Sequence, residues 1–181
     1  QIVALTTAQI RAIETRDLPV LTTDQVVALT TDQVAVLTTS QVGVIGVGQT
    51  AVLTTDQIVA LTTQQAKALT TVAIAALTTA QIVAIETQDL AALTTAQIKA
   101  LTTGEIQALT TSQVLALTTA QAAALTTTQS SAFNTEQVAA LLPSMSTAQI
   151  AALSTDQIVA LTTDQIVALT TAQIGRASCR E

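Results

Sequence analysis

The sequence predicts an all-α solenoid of short capped helices, one to each eight-residue repeat. Three observations carry this: an octad that recurs along almost all of the 181 residues, a capping box inside it, and an apolar spacing that suits neither a strand nor a continuous helix. Leu161-Thr162-Thr163-Asp164-Gln165-Ile166-Val167-Ala168 shows the unit in full. Thr162 stands at the N-cap and Gln165 follows three residues later, so the hydroxyl accepts from one free backbone N–H while the Gln side chain reaches back to another. Leu161 before the cap and Ile166 after it have the spacing of a hydrophobic staple. Asp164 falls in the first turn, where the positive end of the helix dipole favours a carboxylate.

The alternative is a β-solenoid, because Thr, Ile and Val also favour strands. Two features argue against it. Leu161 and Ile166 have opposite parity, whereas a strand facing one core alternates. Tight β-coils also need many turn residues with positive φ, and the chain has five Gly and one Asn. A single continuous helix fails for another reason: eight steps of roughly 100° overshoot two turns by about 80°, so no apolar stripe would form and a coiled coil is excluded. The helix must break once per octad, at the Leu-Thr junction, and the short helices must pile up.

In register, the first place of the octad is held from Leu5 to Leu169 by Leu, Ile, Phe133 or Met145. The sixth is nearly always Ile, Val or Leu, and the eighth is Ala or Val, as at Ala28, Val36 and Ala60. The first, sixth and eighth places are therefore expected to face the core. The fourth and seventh vary freely, with Arg11, Pro19, Val27, Lys67, Lys99, Gln107 and Ser131 among the seventh-place residues, and are expected to face solvent. A single octad cannot bury enough apolar surface to fold alone, so stability should rise with copy number.

As an organisation, residues 1–173 are expected to form one octapeptide-repeat solenoid with a half-repeat break at 141–144, a local kink or bulge where Leu141 is followed by Met145 after only four residues. Residues 174–181 leave the register, and Ile174-Gly175-Arg176-Ala177-Ser178-Cys179-Arg180-Glu181 looks like one frame of a sequencing adapter, a read-through from an environmental assembly. The chain's one Cys, Cys179, lies in that tail, so the array carries no disulfide or redox message. Gln1 is already mid-octad, which marks a fragment, and apolar faces at cut ends predict end-to-end self-association.

Three places depart from the rule. Gly43-Val44-Ile45-Gly46-Val47-Gly48 loses the cap Thr, which predicts a loosened unit or a close backbone approach. Pro19 would remove a hydrogen bond from a long helix and is tolerable only in a very short one, or in the β-solenoid alternative. Ser130 stands where Ile belongs, and Phe133 is expected to fill the void beside it.

Composition excludes several functions. The net charge is −6 with no His, against nucleic acid or an anionic membrane surface. Mean hydropathy is +0.55, yet the polar Thr-Thr-x-Gln block interrupts every apolar run before about 18 residues, so no transmembrane helix is expected. A Ser-His-Asp or Cys-His arrangement cannot be built in the array. The acids Asp24 and Asp32, or Asp156 and Asp164, stand one octad apart and could pair on Ca²⁺ or as acid and base, but the calcium signature Gly-Gly-x-Gly-x-Asp is missing and first-turn solvation accounts for them. Lys67 and Lys99 suit the negative helix ends. No catalytic, cofactor-binding or metal-ligating residue is expected, nor any cofactor.

Two resemblances follow from these residues. Leu21-Thr22-Thr23-Asp24-Gln25-Val26-Val27-Ala28-Leu29 resembles the opening helix of TAL-effector DNA-binding repeats, Leu-Thr-Pro-x-Gln-Val-Val-Ala-Ile, which implies a capped helix here. The family's longer unit and base-reading loop have no counterpart, so DNA binding is not implied. From Gln1 to Gln173 the chain resembles the Leu-Thr-Thr-x-Gln-Ile-x-Ala-Leu arrays of large repetitive bacterial proteins, many apparently surface or secreted, which implies a spacer or stalk at the cell surface or outside the cell. The alternative function is a binding face built from the second Thr of each pair, for ice or adhesion.

Overall fold

The computed structural model describes residues 2–169, and the chain is an all-α solenoid. Among those residues there are nineteen α-helices of four to seven residues, three 3-10 turns and no strand, so the β-solenoid alternative fails. The octad Leu93–Ala100 shows why the sequence folds this way locally. Thr94 is extended (φ −71, ψ 156), and its hydroxyl accepts from the Gln97 N–H at 3.2 Å while its own N–H donates to Gln97 Oε1 at 2.8 Å. The Ile98 N–H then bonds the Thr94 carbonyl at 3.0 Å, and Leu101, donating to the Ile98 carbonyl at 3.2 Å, turns extended (φ −58, ψ 133) and opens the next unit. Each corner is thus an extended apolar-Thr pair. No described residue has a positive φ, which is how so regular a coil forms with few glycines.

This geometry assigns different duties to the two threonines. Thr94→Ala is expected to cost about 1 kcal/mol by removing a cap, whereas Thr95→Ala, at an exposed first-turn place, should be close to neutral or slightly favourable through propensity. Urea midpoints of the two variants measure the difference. Equal costs would mean that the capping register is misassigned.

Packing between turns uses the fifth place of the octad. From Gln33 to Gln157, every glutamine there is buried and donates its side-chain amide to two backbone carbonyls of the turn below. Gln113, for example, bonds Ile82 O at 2.8 Å and Ile85 O at 2.9 Å, 31 and 28 residues back. Helices three octads apart lie side by side, as Thr63–Ala68 does on Thr87–Ala92, so one superhelical turn takes between three and four octads. The first and sixth places form one continuous apolar core, with Ile82, Leu90, Ile98 and Ile106 fully buried. The eighth place is half-buried and packs against that core, as at Ala60, Ala84 and Ala100. The fifth place thus joins the expected inward set of first, sixth and eighth, and the eighth lies at the edge of the core.

The two prolines mark a second kind of corner. Pro19 and Pro143 each lie within a 3-10 turn, Leu18–Val20 and Leu142–Ser144, so neither removes a bond from an α-helix. After the second turn, the span of the ladder bonds falls to 27 and 24 residues for Gln149, four fewer than elsewhere. The four residues Leu141–Ser144 therefore occupy the place of a whole octad, with Leu141, Leu142 and Met145 in the core. The expected kink or bulge is instead a shortened corner that keeps the stack in step. At Gly43, an added Cβ would lie 3.3 Å from Thr39 O and 3.4 Å from Ala68 O, so this glycine marks a close backbone approach between turns. The octad after it keeps its helix, Val47–Val52, through the Gly46 N–H to Gln49 Oε1 bond of 3.0 Å. No helix of the described residues is long and apolar enough to cross a membrane. The tail at 174–181, with Cys179, lies outside the described residues.

Candidate functional surface

The outward face is built from the second Thr of each pair, the fourth place and the seventh. Fixed at the first helical position, Thr31, Thr39, Thr55, Thr79, Thr95 and Thr111 are exposed and take no part in their caps. The acids Asp24, Asp32, Asp56, Asp156 and Asp164 lie exposed in first turns, and Lys67 and Lys99 in last turns, where each suits the local dipole end. Arg16 pairs with Glu14 at 2.8 Å and Asp17 at 3.8 Å on the surface, an arrangement of little energetic weight. Among the described residues, no three His, Cys, Asp or Glu side chains gather where they could hold a metal ion. Asp24 and Asp32 lie on successive helices, as do Asp156 and Asp164.

The chemistry that sequence reading missed is inside. Three of the fifth-place residues after Gln33 carry no amide: Ala73, Asp89 and Glu105. Asp89, 3% exposed, accepts instead from the Thr63 hydroxyl at 2.7 Å, so here the second Thr of a pair is drawn into the ladder. Its neighbour Glu86 stands at the N-cap and makes no side-chain cap bond. Glu105, also 3% exposed, takes the Thr102 N–H and Thr102 hydroxyl environment of a normal box, but its Oε1 is buried with no partner. Burial raises its carboxyl above the ordinary carboxylate range, and the hydrogen bonds from Thr102 oppose that rise only in part.

The long repeated face, the cap and the fifth-place amide together define the unit by which the chain can be compared with others. A family model described as the ALTTAQ repeat matches residues 10–47, 82–119 and 142–171, more than half of the chain. The chain belongs to the ALTTAQ repeat family. No curated protein matches it in sequence. In the ALTTAQ octads, the Thr-Thr-x-Gln block is thus a cap, an outward hydroxyl, a variable place and an inter-turn amide, in that order.

One ALTTAQ octad carries a correctable fault. Ser130 occupies the sixth place with no exposure, and its hydroxyl has no partner, whereas Thr50 at an equivalent place bonds back to Gly46 O at 3.0 Å. Phe133 is also in the core, 3% exposed, and leaves the Ser130 hydroxyl unpaired. Ser130→Val is expected to raise stability by about 1–3 kcal/mol, since it removes an unsatisfied group and adds apolar burial. A denaturation midpoint below that of the parent chain would contradict the assignment.

Proposed function

We propose that the array is a non-catalytic structural segment, a spacer or stalk in a large bacterial surface or secreted protein. The observation that supports this most is the inter-turn glutamine ladder. It runs from Gln33 to Gln157 and ties each turn to the next by amide bonds directed along the axis, which is what an elongated, stiff element needs. In this reading residues 1–173 act as one unit, residues 174–181 are a foreign tail, and the acidic outer face engages no nucleic acid. Small-angle scattering on arrays lengthened by whole blocks of octads tests the proposal. Maximum dimension should grow linearly, by roughly 8–10 Å for each added turn, the spacing of packed helices. Growth that levels off toward a compact particle would reject it.

Self-association through the ends belongs to the same reading. The first described turn surrounds an open apolar mouth with Ile2, Leu5, Ile13 and Leu21, which a stacked second array would cover. Sedimentation velocity showing a monomer at every concentration would remove this part and leave the spacer intact. A second reading, a threonine surface for ice or adhesion, is favoured by the outward hydroxyls of Thr31, Thr39, Thr55, Thr79, Thr95 and Thr111, which the caps do not use. Thermal hysteresis of the array would establish it, and none at millimolar protein would exclude ice.

A further inference from the structure

The fifth place of the octad demands a donor. Wherever Gln stands there between residues 33 and 157, its Nε2 donates to carbonyl oxygens of the turn below; before the shortened corner these lie 31 and 28 residues back, except at Gln137, where they lie 30 and 28 back. For Glu105 the same spacing places the carbonyls of Ile74 and Leu77 opposite its side chain. One carboxyl oxygen, Oε2, does the capping work on the Thr102 N–H, as Gln Oε1 does elsewhere. The other, Oε1, holds the place of an amide nitrogen, is cut off from solvent and has no partner. An ionised carboxylate would there set a buried negative charge against carbonyl oxygens, acceptors facing an acceptor. The spacing of the ladder, 2.7–3.0 Å between heavy atoms in neighbouring rungs, is a hydrogen-bond distance with room for a proton between two oxygens.

We propose that Glu105 is a proton-held link of the ladder: its carboxyl is the neutral acid, Oε1–H donates to a carbonyl of the turn below, and ionisation opens the array at this rung. The proton comes from solvent and returns to it on opening, so no other reactant is needed. The surroundings offer no substitute for it. Helices Thr79–Ala84 and Thr127–Ala132, which pack against Thr103–Ala108, carry no titratable group, nor do Thr71–Ile74 or the following helix Thr111–Ala116. Lys99 in the preceding helix is exposed, and Asp89 lies on Thr87–Ala92 with Glu86 at its N-cap, a helix that packs on Thr63–Ala68 and Thr111–Ala116. Burial acts on the carboxyl in the direction the geometry requires.

The sign follows from proton binding. The folded state holds the proton to a higher pH than the unfolded chain, so the rung is closed below the ordinary carboxylate pKa and loses stability as pH rises from there to the folded value. Glu105→Gln restores the standard amide and should abolish that dependence. The test compares the full chain with E105Q, by urea midpoints and by hydrogen exchange at 71–77 and 103–108, between about pH 4 and pH 8. The two proteins should nearly coincide at the acid end. The parent's opening constant should then grow relative to E105Q, by up to about tenfold per pH unit inside the window, and level off above it. An infrared difference between them should show a protonated carboxylic acid at pH 5 that is missing in E105Q. Parallel pH profiles, or an ionised carboxylate at pH 5, would overturn the proposal.

Discussion

Gln113→Glu is expected to destabilise the array by roughly 3–4 kcal/mol at pH 7 and by far less near pH 4. Gln113 is 2% exposed; its Oε1 accepts from the Thr110 N–H at 2.9 Å, and its Nε2 donates to Ile82 O and Ile85 O. A glutamate keeps the acceptor and loses the donors. It must then either bury a charge or remain protonated, and holding a carboxyl of ordinary pKa near 4.3 neutral at pH 7 costs about 3.7 kcal/mol, which bounds the penalty. Gln113→Ala removes both functions, and its cost, about 2–3 kcal/mol from the Ile85 carbonyl and the Thr110 N–H left without their partners, has no such pH dependence. The order is therefore diagnostic: glutamate worse than alanine at pH 7, and better than alanine near pH 4, where the acid supplies an O–H. Urea denaturation of both variants at the two pH values measures it. A glutamate variant no worse than alanine at pH 7 would mean that the amide bonds to the turn below carry little stability.

The second large effect is in the apolar seam. Ile82 has no exposure, and Ile82→Ala should cost about 2–5 kcal/mol through lost burial and the cavity left behind. Ile166, at the same place of its octad but 44% exposed, has no described turn above it, and Ile166→Ala should cost less than about 1.5 kcal/mol. Because each unit contacts only its neighbours, the loss at Ile82 should appear as a drop in the midpoint of the whole array and as faster exchange in adjoining turns. Equal costs at the two positions would show that burial does not grow from the end of the stack inward.

Local chemistry was readable and inter-turn chemistry was not. The Thr94 cap, the Gln97 box and the Leu93–Ile98 staple span six residues, and their spacing alone specifies them. The burial of Gln97 is a different matter, because its partners Ala66 O and Leu69 O are 31 and 28 residues away and the capping box had already accounted for the side chain. A signal was nevertheless present. Glutamate fills a capping box as well as glutamine and suits the helix dipole better, yet the fifth place is held by Gln in nearly every octad and by Glu at Glu105. A preference for the amide over a carboxylate is a demand for a donor. The Leu142-Pro143 corner could not be equated with an octad from sequence, since four residues and eight become interchangeable only when their outer ends must meet the same turn below.

The three rungs without an amide, Ala73, Asp89 and Glu105, stand two octads apart in the middle of the chain, with intact rungs on either side. Under tension applied along the axis, load passes between turns through the ladder and the apolar seam, and the stretch from 73 to 105 has the fewest links to share it. The array should therefore yield there first, as a crease between two stiffer halves. Used as a stalk, such an array would fold at a set height instead of bending evenly along its length.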